Sequence, residues 1–320
     1  MGIKNLLKLI NSYPDLPNDR KIEDFSERKV AIDISILLYQ VVISIRNSGS
    51  DLTNNRGEIT SHILGLFNKT IKLLEKKIIP VYVFDGKPPE LKKKVLDLRK
   101  TVRVKAKEKM DSAITDEDKI KYFKRSVIIN KKQLQECRNL LELMGVPYVD
   151  APEEADSQCA WLCKNGLVDS VLTEDMDILT FGSPSIVRNL TSMKKSPVEI
   201  KLQDIKEKFG WSDDQFIEMC ILFGCDYCDH IVDIHYLKIF QEFQKSKNID
   251  NVLKSLKREI KYSDGINYFK NPIVNESIEN LNLMKPNLEN LEKVLINDYG
   301  LIKYKLQKKI KFLDNNFNSL

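Results

Sequence analysis

Three apolar runs in this chain each stop on carboxylates: Val30-Ala31-Ile32-Asp33, Val81-Tyr82-Val83-Phe84-Asp85 and Val171-Leu172-Thr173-Glu174-Asp175-Met176-Asp177. Runs this apolar suit strands buried on both faces, as in a parallel sheet. In an open α/β sheet the carboxyl ends of neighbouring strands converge on one crevice. Acids gathered there repel one another. With Glu154, Asp156 and Asp226 the isolated acids number seven. Hard oxygen donors in that number suit Mg²⁺ or Mn²⁺.

The 320 residues are 42% hydrophobic and 30% charged, a globular composition with material for a large core. No apolar run reaches the ~20 residues that span a bilayer, and MGIKNLLKLI lacks a secretory pattern, so no membrane role is expected. The six Cys then read as reduced thiols of an intracellular protein, with Cys159, Cys163, Cys220 and Cys225 as small core residues. The net charge of +5 is unevenly spread: 87–109 holds ten Lys or Arg against three acids. A basic segment beside an acid-rich crevice suits grasping phosphates and cutting one. A solvated helix face explains the same run.

The order of elements is βα-like. A strand at 29–34 leads into a helix carrying Leu37, Leu38, Val41, Val42 and Ile45, and a second helix spans 58–77. A strand at 78–84 follows, then Pro88-Pro89, then two long helices at 90–110 and 119–144. Short strands at 147–150 and 168–173 flank a helix starting at Pro152, with Glu153, Glu154 and Asp156 in its first turn. A hairpin is expected over 186–200, and from Leu202 onward the pattern is helical. The fold class is α/β, a mostly parallel central sheet flanked by helices.

The blocks KVAIDIS, TSHILGLF, PVYVFDGKPPELK, LLELMGVPYVDAPEEAD, TEDMDILTFGSP and CILFGCDYC follow MGIKNLLKLI in one order. Together they resemble the flap endonucleases, structure-specific 5′ nucleases related to the xeroderma pigmentosum group G protein. The resemblance runs from Met1 to about Phe312. It implies a PIN-like 5′ nuclease fold in which 1–201 is the nuclease core, with a helical arch and cap at about 90–132. Residues 202–320 would be a helical DNA-binding region packed on that core.

The resemblance also implies a site. Asp33, Asp85, Glu154 and Asp156 match the acids around one ion, and Asp175, Asp177 and Asp226 those around a second. Two Mg²⁺ ions, replaceable by Mn²⁺, would hold the attacking water and the leaving oxygen. Lys92 and Arg99 match the cations that contact the scissile phosphate; seven residues apart, they share a helix face. Tyr39 matches a base-stacking aromatic, though without the resemblance a core-facing helix aromatic is the better reading. Arg46 and Lys69 match phosphate contacts. The partner would be branched DNA with a 5′ flap or 5′ single strand, met by a monomer. The expected setting is the nucleus, or a cytoplasmic replication site if the chain is virus-encoded.

Several features depart from the family pattern. Asp156 stands where the family has Glu, and Glu153 is an added acid. A glycine-rich turn that grips duplex DNA and binds potassium is replaced by Val232-Asp233-Ile234-His235-Tyr236-Leu237-Lys238, which predicts a degenerate helix–turn–helix element. Cys225, Cys228, His230 and His235 have zinc-like spacing, but packed thiols and solvated histidines fit better. Gln307 and Ile310 begin a sliding-clamp spacing that Leu313 and Asp314 do not complete. The lysines of 303–311 suit either DNA contact or a solvated terminal helix. A 5′→3′ exonuclease, a junction resolvase and an inactive DNA-structure binder remain alternatives.

Overall fold

The computed structural model describes residues 2–192 and 194–317. Seven strands form one sheet: β1 (Pro17–Asp19), β2 (Lys29–Asp33), β3 (Ile79–Phe84), β4 (Tyr148–Asp150), β5 (Ser170–Leu172), β6 (Ser185–Arg188) and β7 (Val198–Lys201). Their order is β1-β7-β6-β5-β2-β3-β4. β6, β5, β2, β3 and β4 are mutually parallel, and β7 runs antiparallel to both β6 and β1. The registers Ala31↔Val81 and Ala31↔Val171 place β2 between β3 and β5. There the chain's strand order reverses, and a crevice opens at the carboxyl edge.

Side-chain alternation along the central strands divides the core in two. Ala31, Val81, Val83, Val149 and Val171 face one side. There they meet α1 (Leu6–Asn11), and residues of α7 (Ala155–Lys164), α8 (Asp177–Thr180) and the C-terminal helices α9 (Leu202–Phe209), α10 (Asp213–Phe223), α11 (Tyr236–Ser246), α12 (Ile249–Leu256) and α13 (Ser263–Lys270). Val30, Ile32, Tyr82 and Phe84 face the other side, with α2 (Ile34–Ile45), α3 (Ser61–Glu75) and α6 (Lys131–Met144). α2 and α3 pack closely because position 65 is glycine; a Cβ there would overlap Val41. The tail returns to this second side as α14 (Leu288–Lys293) and α15 (Lys303–Phe317).

The expected strands at 29–34, 78–84, 147–150 and 168–173 are present, and the hairpin is β6–β7, paired Ile186↔Ile200. Edge strand β1 was not anticipated; it is three residues long and begins on Pro17, which an edge tolerates. The helix expected at 119–144 is two helices, α5 (Asp116–Arg125) and α6. Asn130 explains the break: its side chain accepts from Gln133 N at 2.9 Å while Gln133 caps it in return, starting a new helix. Its partner α4 (Lys93–Asp111) is preceded by a 3₁₀ turn at Glu90–Lys92.

The helix assigned to Pro152 starts at Ala155 instead. The carbonyls of Pro152 and Glu153 accept from Lys87 N (3.1 Å) and Gly86 N (2.6 Å), which keeps 152–153 out of the helix. A side chain at Gly86 would collide with the Ala151 and Pro152 carbonyls, so this close approach requires glycine. In α15, Leu306 and Leu313 are buried at i and i+7 with Ile310 between them, which gives this helix its packing face. Lys303 pairs with Glu292 at 3.3 Å and Lys309 bonds Asn68, which accounts for two of the terminal cations.

Candidate active site

Asp33 is the last residue of β2 and caps α2; its Oδ1 accepts from Ser35 N (2.7 Å) and Ile36 N (3.2 Å). Asp85 follows β3. Its Oδ1 accepts from Ala155 N at 2.9 Å and its Oδ2 from Ser35 Oγ at 2.7 Å, tying three segments together. The late start of α7 is what exposes the Ala155 amide to Asp85. It also puts Glu154 at the N-cap and Asp156 in the first turn. Beyond β5, Asp175 Oδ1 accepts from Asp177 N at 3.1 Å, a tight loop that aims both carboxylates at the crevice. Asp226 arrives from the loop after α10. Asp33, Glu154, Asp156, Asp175 and Asp177 are buried, whereas Asp226 is half-buried and Asp85 exposed.

Burial raises the Asp33 carboxyl well above its usual pKa, and the Asp85 charge adds to it. Burial does the same to Asp156, reinforced by Asp175 and Asp33, and to Asp177, reinforced by Asp175. Asp175 is raised as well, chiefly by burial. The acids from both sides of the sheet switch therefore sense one another as one charged group. Asp156 Oδ1 and Asp177 Oδ1 are buried without a hydrogen-bond partner. Such orphaned oxygens in a repelling cluster fit divalent cations, which would satisfy the lone pairs and lower the acids' pKa values.

Among the described residues no three His, Cys, Asp or Glu side chains converge on a single ready-made ligand position. Mg²⁺ keeps several of its waters and meets many carboxylates through them.

Two cations face the acids. Lys92 Nζ donates to Glu154 Oε1, and Arg99 Nη2 donates to Asp226 Oδ2 at 2.5 Å. Burial disfavours the Lys92 ammonium, but Glu154 and Asp156 outweigh it and hold its pKa above the ordinary value. Both matched cations therefore reach the acids, one on each proposed ion group. Tyr39 is half-buried, with the Arg103 guanidinium 5.3 Å from its ring centre, so it is not a core aromatic.

Arg46 and Lys69 sit differently from the expectation of free phosphate contacts. Arg46 pairs with Asp51 at 2.9 Å, donates to the Phe123 carbonyl at 2.7 Å and stacks on the Phe123 ring at 4.0 Å. It is buried by these contacts and fastens α5 to the end of α2. Lys69 donates to the Thr191 carbonyl at 3.2 Å; burial, then the charge of Lys72, lower its pKa.

Position 233 keeps the left-handed conformation, φ 61°, without its glycine. Aspartate tolerates that region better than most residues. His235 caps α11 through Nδ1, which accepts from Leu237 N at 3.4 Å. Where the degenerate element was expected, the chain bends at Asp233 and Ile234 and enters α11. The zinc-like group is otherwise engaged, since His230 Nε2 is 2.6 Å from Lys4 Nζ and Cys225 Sγ is 3.4 Å from Cys228 Sγ.

Two site residues were missed from the sequence. Tyr227 donates its hydroxyl to Glu154 Oε2, and Lys92 Nζ lies 5.4 Å from its ring centre. Its position next to Asp226 was the available signal. Gly2, at φ 76°, packs so closely on Asp175 that a Cβ would overlap the carboxylate. A glycine behind the initiator methionine gave no reason to look.

A family model for the XPG N-terminal domain matches residues 1–106, and one for the XPG I-region matches 145–226. Flap endonuclease 1 of Glycine max is 42% identical, covering 97% of this chain and 86% of the relative. The structure of flap endonuclease-1 from Methanococcus jannaschii superposes with a TM-score of 0.76 at 37% identity, covering 96% of this chain and 98% of that one. The catalytic core of Rad2 in complex with DNA substrate has a TM-score of 0.73 over 98% of this chain and 100% of the other; at 24% identity this likeness shows the fold. The chain belongs to the flap endonuclease family of metal-dependent, structure-specific 5′ nucleases.

Proposed function

We propose that this chain cuts a phosphodiester bond at the junction between duplex DNA and a 5′ single strand, in replication or repair, with two Mg²⁺ ions held by its seven acids. The observation that carries the reading is the buried, mutually repelling carboxylate group with two cations seated on its rim. Asp33, Asp85, Glu154 and Asp156 would hold one ion, and Asp175, Asp177 and Asp226 the other. When bound, the ions activate water and neutralise charge on the phosphate, and Mn²⁺ should replace Mg²⁺.

The chain's own residues do the rest. Ser35 and the Ala155 amide fix the Asp85 carboxylate, and Tyr227 fixes Glu154, so the acids need little reorganisation. Lys92 and Arg99 release Glu154 and Asp226 as cations replace them there, and turn their N–H groups to the phosphoryl oxygens. Charge building on those oxygens in the transition state is then met by fixed donors. Tyr39, backed by Arg103, offers a face for the unpaired base at the junction. The basic helix α4 tracks the single strand, and branched DNA with a 5′ flap is the partner of a monomeric enzyme acting inside the cell. The relatives, from plants, an animal and amoebae, lend no support to a viral origin.

Cleavage of 5′-flap, nicked, gapped and four-way-junction DNA, compared in Mg²⁺ and in chelator, tests the reading. Preferred cutting of the flap near the junction, lost on chelation, is the expected result. Preference for the four-way junction would favour a resolvase, and no cutting of any substrate would favour an inactive binder.

A further inference from the structure

The thiol pair noted for its spacing has no part in the reaction described above, yet it frames two residues that do. Cys225 Sγ and Cys228 Sγ lie 3.4 Å apart. Between them in the chain stand Asp226, bound to Arg99, and Tyr227, bound to Glu154 and lying beneath Lys92. The segment runs between the end of α10 at Phe223 and the start of α11 at Tyr236 without regular structure. It is therefore freer to shift than the strand ends that carry the other acids. Cys137, Cys159, Cys163 and Cys220 are buried, whereas Cys228 is only half-buried. Cys225 is buried too, so an oxidant reaches the pair through Cys228, the most exposed of the six thiols.

We propose that Cys225 and Cys228 are an oxidisable dithiol whose disulfide, closing across Asp226 and Tyr227, reversibly switches off cleavage. The effect on rate rests on the reading of Asp226 as a metal-holding acid. With a peroxide as oxidant, both S–H bonds and the O–O bond break and one S–S bond forms. The two sulfurs lose two electrons, the peroxide gains them, and the thiol protons leave on its oxygens as water or alcohol. A reducing dithiol reverses the step by thiol–disulfide exchange.

Bonding distance is about 2.05 Å, so the sulfurs must close by about 1.3 Å. Asp226 and Tyr227 are the only residues between the two cysteines, so closing the ring draws on their backbone. A displacement of about 1 Å at a reacting centre can cost about a hundredfold in rate.

The full-length protein is oxidised with hydrogen peroxide and read two ways: peptide mapping for a 225–228 linkage, and single-turnover cleavage of a 5′ flap in Mg²⁺. The rate should fall at least about tenfold in proportion to the linked fraction, and recover in dithiothreitol. Cys228→Ser should cut normally when reduced and keep its rate in peroxide; Cys225→Ser serves the same purpose if that variant folds poorly. A linkage without rate loss overturns the proposal, as does rate loss without the linkage or an equal loss in the serine variant. Asp226→Ala, assayed reduced, separates the two readings. Full activity there removes Asp226 from the metal site, whereas absence of the linkage in an Asp226-dependent enzyme overturns the dithiol alone.

Discussion

At the residue scale the site works by opposition of charge. Asp175 is held by the Asp177 amide and pressed by Gly2, so its carboxylate has little freedom to be replaced. Asp175→Ala should lose at least about a hundredfold in single-turnover rate while still binding flap DNA, because under the proposed two-ion reading it removes a metal ligand. Near-normal cleavage by that variant would sink the two-ion reading. Arg99 is tied to Asp226 in the free protein, so its removal costs no packing in the core. Arg99→Ala should raise the barrier by about 2–4 kcal/mol with a smaller change in affinity. Equal losses of rate and affinity, measured by single-turnover kinetics and titration, would reassign Arg99 to phosphate binding alone.

At the element scale α5 is fastened from outside the acid group. Arg46 joins the end of α2 to α5 through an ion pair, a backbone hydrogen bond and a stack on Phe123. The cation–π contact alone is of order 0.5–2 kcal/mol. Arg46→Ala should therefore speed amide exchange in 116–125 by about tenfold or more while exchange in the sheet stays unchanged. Unaltered exchange in α5 would show that this helix is held elsewhere.

The turn at 233 makes the second case. Asp233→Gly relieves a left-handed aspartate and removes a negative charge from the surface expected to meet duplex DNA. Binding should tighten for substrates with a long downstream duplex and not for short ones, as read from the two dissociation constants. An equal effect on both lengths would disconnect the turn from the duplex.

For the whole molecule, the acids that make the site also weaken the fold. Asp33, Asp156 and Asp177 have pKa values raised by burial and mutual repulsion. The folded apoprotein thus holds protons that the unfolded chain has released. That contribution to stability is complete below about pH 4 and is lost as pH rises through the raised values. His62, buried and lowered in pKa, acts in the opposite sense, but equally with and without metal. The stabilisation by Mg²⁺ should therefore grow from about pH 5.5 to pH 8, as cations take the place of protons. Thermal melts in Mg²⁺ and in chelator at both pH values measure it. A gain that shrinks with pH would place the ions away from these acids.

The sequence by itself determined the sheet and most of the acid set. Strands such as 79–84, apolar throughout, had to be buried on both faces, and parallel strands that end in acids bring those acids to one edge. The matched blocks supplied Lys92 and Arg99, whose reach to Glu154 and Asp226 is now visible. Only the tertiary structure decided the rest. Hydrogen bonds from Gly86 and Lys87 delay α7 to Ala155, and only then does Asp85 meet the Ala155 amide. Arg46 ties α2 to α5 because Asp51 and Phe123 lie within its reach. Tyr227 and Gly2 joined the site through contacts with residues 73 and 173 positions away. Local periodicity carries strand and helix because backbone geometry repeats along the chain; it carries no record of which distant side chain arrives across a crevice.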